Sequence, residues 1–408
     1  MYIKQRLQHQ LTYLALYIFL AALSLRGPVT GLSPLFERIS NDLNLSSSQS
    51  GLLTSLPLLA FALFAPMAAW LTRFWSLERI LFLGVSFITF GMVLRSFPLM
   101  LPLYFGMTII GVGIAIGNVL LPSLVKRYFP DYTVQFTAIY VLMMNVGGFL
   151  MASTAIPLSL LAEASSTQLK HHGWSFALAC QVVIVLLPCL LWSSGKITPM
   201  PPKKVSTPHK TPAIWRSKMG WQVSSFLAIN SLLSYSMMAW IPAILMSNGY
   251  TDATSGLYLG YVQIAGALPS LVLAPFIHKL GSLRQLCLIA TGMSWLSLFG
   301  YLFLADWAVF WSLLFGFGTS MTFILGLSFV SFRTNSPKQA AALSGMSQLL
   351  GYSLAAMGPF TLGYLFDLYH SWQPALYLLL ALCSLWVLLG WYASPRSNRE
   401  TSYSENHL

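Results

Sequence analysis

One charged side chain in this sequence lies deep inside an apolar run long enough to cross a bilayer. It is Arg26, within LALYIFLAALSLRGPVTGLSPLF. Counted from Thr12 it stands about 14 residues into a helix, roughly 21 Å along at ~1.5 Å per residue, slightly past the middle of a ~30 Å hydrocarbon core. Insertion scales put an Arg at that depth at about 2.5–3.5 kcal/mol unfavourable, so such a side chain faces a bundle interior or a water-filled path. Pro28 follows and cannot return an N–H to the Ser24 carbonyl, which predicts a bend beside the cation. A fixed positive charge at a mid-membrane helix break suits a small anion or an electron-rich solute. The structural alternative is that Arg26 caps carbonyls left free by Pro28. Glu37, eleven residues on and about 16 Å along the helix, is no direct partner.

Other polar side chains fall inside apolar runs. Asn118 in GIAIGNVLLP and Asn145 in VLMMNVGG are either helix–helix hydrogen-bonding groups or ligands in a cavity. Asn230, Ser234 and Tyr235 share roughly one helical face, and Trp240 continues that helix. Ser344, Gln348 and Tyr352 form a stripe at i, i+4 and i+8 that must meet protein or water rather than lipid, with Tyr140 as the counterpart of Ser344 in the first half. Arg95 and His278 stand near run ends and read as interfacial snorkellers. Repeated glycines (Gly106, Gly111, Gly113, Gly117; Gly316, Gly318, Gly326) read as close helix packing. The four cysteines lie in apolar runs without a CxxC pair, as packing residues. No Walker loop, HExxH or GxSxG occurs, so the sequence implies neither an enzyme nor a resident metal or cofactor. No Asp or Glu lies deep in a run, so a carboxylate proton carrier is not expected and coupling would be facilitative, by exchange, or with a proton on the substrate.

The elements that must position these residues are legible from hydropathy. Of 408 residues 56% are hydrophobic and 8% charged, against about 25% charged in soluble domains. Twelve spans are predicted, near 12–36, 48–70, 79–97, 100–124, 133–160, 173–194, 219–245, 254–277, 285–304, 307–331, 339–365 and 373–393. The net charge of +12 is explained by topology, because 18 of 22 Lys and Arg fall in alternate loops and the termini. The positive-inside rule then predicts both termini in the cytoplasm, and no nucleic-acid role. A basic, Pro-rich stretch at 195–218 divides the chain into six-span halves, 1–194 and 219–408. At an offset of 204, Gln135, Ala138 and Gly147 match Gln339, Ala342 and Gly351. These readings predict an all-α polytopic protein of two pseudo-symmetric six-helix bundles.

The strings LRGPVTGLSPLFERISNDLNLSSSQSGLLTSLP, GVGIAIGNVLLPSLVKRYFP and KQAAALSGMSQLLGYSLAAMGPFTLGYLFD resemble the bacterial cyanate/nitroimidazole transporter branch of the major facilitator superfamily. The resemblance implies a secondary transporter of small molecules working by alternating access in the bacterial inner membrane. Its substrate would be a small anion or polar heterocycle, with the lipid bilayer as its only other evident partner and no obligate protein partner. In APMAAWLTRFW the chain departs from the superfamily pattern, with Ala69 where an Asp is usual. A carrier for hydrophobic drugs, lined by the many Phe, Met and Trp, is a second reading. A non-transporting sensor on a transporter scaffold is a third.

Overall fold

Within a bilayer every backbone N–H and C=O must find a partner inside the protein, so a chain this apolar spans as helices. The computed structural model describes residues 2–165, 172–195, 197, 214–276, 282–334 and 337–394. Among them run α1 (Tyr2–Thr30), α2 (Phe36–Leu43), α3 (Ser47–Leu71), α4 (Leu77–Arg95), α5 (Met100–Tyr128), α6 (Thr133–Ser165) and α7 (Gly173–Ser193). The second half holds α8 (Lys218–Ser247), α9 (Asp252–Phe276), α10 (Leu283–Phe303), α11 (Ala308–Phe332), α12 (Pro337–Tyr369) and α13 (Gln373–Ala393). Eleven of these segments are long and apolar enough to cross a membrane. The twelfth, α9, is 25 residues long, and Tyr258, Tyr261 and Gln263 interrupt its apolar sequence.

Local chemistry sets the boundaries. Ser46 and Gln49 close a capping box at the start of α3, while Ser76 and Ser217 cap α4 and α8. Asn44 (φ 52°) ends α2, and Gly249 (φ +88°) follows α8 where a side chain would be strained. The first span ends earlier than the hydropathy predicts. α1 stops at Thr30, two residues past Pro28, and a 3-10 turn at Ser33–Leu35 leads into the short helix α2, which the sequence reading missed. The predicted linker 195–218 lies mostly outside the described residues, as do His278 and the chain after Ser394.

The halves repeat one another in register. α6 and α12 are both 33 residues long and begin 204 residues apart, the offset found in the sequence. Gly147 on α6 faces the Leu23 backbone of α1, and Gly351 on α12 faces Ala228 and Ser231 of α8. Gly113 on α5 packs on Gly84 and Ile88 of α4, as Gly318 on α11 packs on Ala290 and Ser294 of α10. The halves meet along two seams, α3 against α12 and α6 against α9.

Both seams are tied at the face opposite the termini. Asp367, at the end of α12, accepts the Ser47 and Ser48 backbone N–H groups of α3, each at 2.8 Å. Its equivalent in the repeat, Glu163 at the end of α6, accepts from Arg38, which also reaches Asp252 at the start of α9, at 3.2 Å. Among the described residues, every hydrogen bond seen between the halves lies at this face.

Candidate functional site

Arg26 is placed by close backbone contact. Gly27 on α1 and Gly147 on α6 let the two helices touch, so that Asn145 comes within reach of the guanidinium. Arg26 Nη1 donates to Asn145 Oδ1 at 2.6 Å, and Asn145 Nδ2 donates to the Val141 carbonyl at 2.9 Å. Both ends of the buried amide are thereby engaged, and its orientation is fixed. Arg26 does not cap its own helix through this bond, which crosses to α6. A different cation meets the end of α1. Arg95, expected to snorkel at an interface, is fully buried and donates to the Pro28 carbonyl, with Met107 Sδ at 3.4 Å and Gln181 Oε1 at 3.5 Å. The correction has a physical reason. The last carbonyls of a helix lack intrahelical partners, and Gly106 leaves room for the Arg95 stem to reach one.

The second half closes the pocket around Arg26 and Asn145. Ser234 and Met238 come from α8, Val262, Gln263 and Gly266 from α9, and Phe315, Gly316, Thr319 and Ser320 from α11. Gln263 is 1% exposed and its stem packs on Gly148 of α6, yet its Nε2 has no hydrogen-bond partner. A buried donor left open costs about 1–3 kcal/mol, so this amide is a standing invitation to an acceptor. Gly266 has no side chain to displace Ser320 Oγ or Asn145 Oδ1. Tyr235 and Tyr352 lie within electrostatic reach of Arg26, their rings 6.4 Å apart, and Tyr352 stands edge-on to Phe61 of the first half at 4.9 Å. Among the described residues the pocket thus offers one cation, an open amide donor and hydroxyls, with no carboxylate in its lining.

The sequence-derived candidates separate into groups. Arg26 and Asn145 line the pocket, and Tyr235 and Tyr352 stand beside it. Asn118 is half-buried next to Gly117, which packs on Leu25, but it is not part of the lining. Asn230 is buried inside the second half and accepts from Thr322 at 3.4 Å, so its neighbour one turn on, Ser234, faces the pocket instead. Tyr140 is half-buried against the core of α6. Ser344 and Gln348 bond to each other at 3.4 Å on α12, two turns and one turn from Tyr352, with Gln348 exposed. Trp240 is remote from Arg26. Its indole donates to the Pro359 carbonyl at 2.8 Å and its ring packs on Phe36 and Trp372 near the closed face. Gln263, Thr319 and Ser320 were not singled out from the sequence. A lone Gln in an otherwise apolar run was the available signal for the first.

The family model of the Major Facilitator Superfamily matches residues 14–359. The chain is 39% identical over 374 residues to a 2-nitroimidazole transporter of Escherichia coli (strain K12), covering 91% of this chain and 93% of that one. It is 26% identical over 359 residues to the cyanate transport protein CynX of the same organism, covering 86% and 89%. Its fold is similar to the crystal structure of a bacterial homologue of the human lysosomal transporter Spinster in an inward-facing, occupied conformation. The TM-score there is 0.76 at 16% identity, over 94% of this chain and 96% of that one.

Proposed function

The chain belongs to the major facilitator superfamily as a multi-pass membrane transporter, and we propose that it carries a small anion or an acceptor-rich polar heterocycle, cyanate-like or nitroimidazole-like, bound at Arg26. The observation that carries this reading is the pocket between the halves, where Arg26 is, among the described residues, the one charged side chain in the lining and faces no carboxylate. Asn145 holds the guanidinium still, and the open Gln263 amide supplies a second donor from the other half. A solute with two acceptor atoms satisfies both at once and thereby touches both bundles, as alternating access requires.

Orientation follows from charge. The positive-inside rule puts the basic loops and both termini in the cytoplasm. The tied face is then the periplasmic one. In this reading 1–194 and 219–408 are the two moving bundles, joined by the basic linker 195–218 at the cytoplasmic surface.

Counterflow of labelled cyanate or nitroimidazole in proteoliposomes tests the proposal. Uptake by the wild type, lost in Arg26→Ala and partly retained in Arg26→Lys, is the expected result, because a point charge cannot replace a planar fork. Wild-type kinetics in Arg26→Ala would remove Arg26 from the site. With no carboxylate in the pocket, a monovalent anion moving alone should respond to membrane potential, at about 2.3 kcal/mol per 100 mV per charge. Accumulation driven by a pH gradient, with a substrate that cannot titrate, would show this coupling to be wrong.

A further inference from the structure

A second pocket opens at the basic face of the C-terminal half, lined by Lys218, Gln222, Arg284, Arg333, Trp391 and Tyr392. Its two arginines are held in place rather than waving in solvent. Arg333 donates to the Ser394 carbonyl at 3.0 Å and to Gln222 Oε1 at 3.3 Å. The Arg284 guanidinium lies 4.1 Å from the centre of the Trp391 ring, and its Nε is 3.5 Å from Ser394 Oγ. Lys218 is the first residue of α8 and Arg284 the second of α10, so two helix N-termini add positive potential at the same corner. Among the described residues no carboxylate lines it.

The same corner of the N-terminal half shows that the scaffold does not require this arrangement. The glycine contacts align α4 with α10 at an offset of 206 and α5 with α11 at 205. In that register Glu78 stands at the place of Arg284 and Tyr128 at the place of Arg333. Glu78 is fully buried and accepts from the Tyr128 hydroxyl, while Trp192 packs there against Phe82 and Tyr17. That corner is filled by its own side chains. Its repeat is open, and an acid has become an arginine.

We propose that the C-terminal corner binds the phosphate of an anionic phospholipid headgroup. Two fixed guanidinium groups and an ammonium match a phosphate diester, which carries one negative charge and several acceptor oxygens. A membrane source is favoured by position. Trp391 and Tyr392 are 41% and 58% exposed at the end of α13, where interfacial aromatics sit, and Leu385 and Leu388 continue outward-facing along the same helix toward its middle. A headgroup in the pocket can therefore leave its acyl chains on the apolar surface of α13, which free phosphate cannot use.

The full-length protein is reconstituted in phosphatidylcholine vesicles with and without phosphatidylglycerol, and the lipids kept after transfer to detergent are counted by native mass spectrometry. The wild type should retain phosphatidylglycerol over phosphatidylcholine. Arg284→Gln with Arg333→Gln should weaken that retention about 30-fold, two cations' worth of attraction. Retention unchanged in the double variant, or no preference between the two lipids, overturns the proposal. Inorganic phosphate is the other arm. Release of the lipid by millimolar phosphate, with equal thermal protection by phosphate alone, would assign the site to a free anion and overturn the lipid source. Should the double variant not fold, brominated phosphatidylglycerol should quench wild-type fluorescence more than brominated phosphatidylcholine does. That excess should vanish in Trp391→Phe, and its persistence would count against the site.

Discussion

In the first half α1 carries Arg26 where the second half, at the shared offset of 204, has Asn230 on α8. Arg26 is bonded across to α6 and turned to the pocket, whereas Asn230 is 3% exposed and turned inward to Thr322 of its own bundle. A similar exchange occurs between α4 and α5 and their repeats. Arg95 lies over Gly106 in the first half, and in the second Trp311 stands in place of Gly106, with its ring lying against Gly300. A repeated backbone therefore fixes where helices touch, while the side chains at equivalent positions divide the labour. The first half supplies the fixed charge of the pocket, and the second supplies neutral donors and most of its walls.

Substituting both members of the leading pair tests this division directly. Arg26→Ala should reduce transport roughly 30-fold or more, since truncating a buried, hydrogen-bonded charge contact costs about 2–5 kcal/mol. Asn230→Ala, at the equivalent position, should change transport far less and act through stability. Equal losses of transport at equal amounts of folded protein would erase the asymmetry.

Gln263 sharpens the comparison, because it is the second half's answer to Arg26. Gln263→Leu should weaken substrate binding about tenfold, the scale of one hydrogen bond to a charged or strongly polar partner. Gln263→Glu should be worse, since a carboxylate there would compete with the substrate for Arg26. Binding measured by competition in counterflow, at matched expression, would show whether Glu and Leu rank in this order. The reverse order would mean that Gln263 contributes only packing against Gly148.

Twelve spans, two halves and the register between α6 and α12 were legible from the sequence, because lipid imposes a long apolar period and the repeat kept its glycines at helix contacts. Arg26 was legible for the same reason, as a charge has nowhere to hide in an apolar run. The fate of Arg95 was not. Its place near a span end fits both snorkelling and burial, and only the third dimension brings the Pro28 carbonyl to it. Trp240 and Gln263 exchanged roles similarly. A Trp on a polar face can point into a cavity or into a seam, and the neighbours that decide, Phe36 and Trp372, are far away in sequence.

The close contacts of α4 with α5 and of α10 with α11 allow a test that should spare the pocket. Gly106→Ala would press a methyl group on the Gly91 carbonyl and the Arg95 backbone, and Gly300→Ala would press one on the Trp311 ring. Each should lower stability by about 1–3 kcal/mol, the usual cost of overpacking, with transport by the folded fraction nearly unchanged. Melting in detergent beside counterflow at low temperature separates the two quantities. Transport losses beyond the loss of folded protein would place these contacts in the transport cycle.

The smallest effect expected is at the tied face, where the two seams solve one problem differently. α3 begins with Ser47, and Asp367 accepts its N-terminal N–H groups directly. α9 begins with an acid, Asp252, so Glu163 cannot approach without Arg38 between the two carboxylates. Asp252→Asn should cost no more than about 1 kcal/mol, since its side chain is 42% exposed and such pairs are weak and screened by salt. Asp367→Asn should cost a similar 0.3–1 kcal/mol, the scale of a carboxylate at a helix N-terminus. Spin labels placed across each seam at this face should report a modest rise in the separated population for either variant. Salt should reproduce the rise in the wild type more strongly at the α6–α9 seam, where three charges meet, than at the α3–α12 seam, where one charge meets a backbone. Equal salt responses at both seams would show that the ion bridge through Arg38 adds nothing to the closure that backbone capping does not already provide.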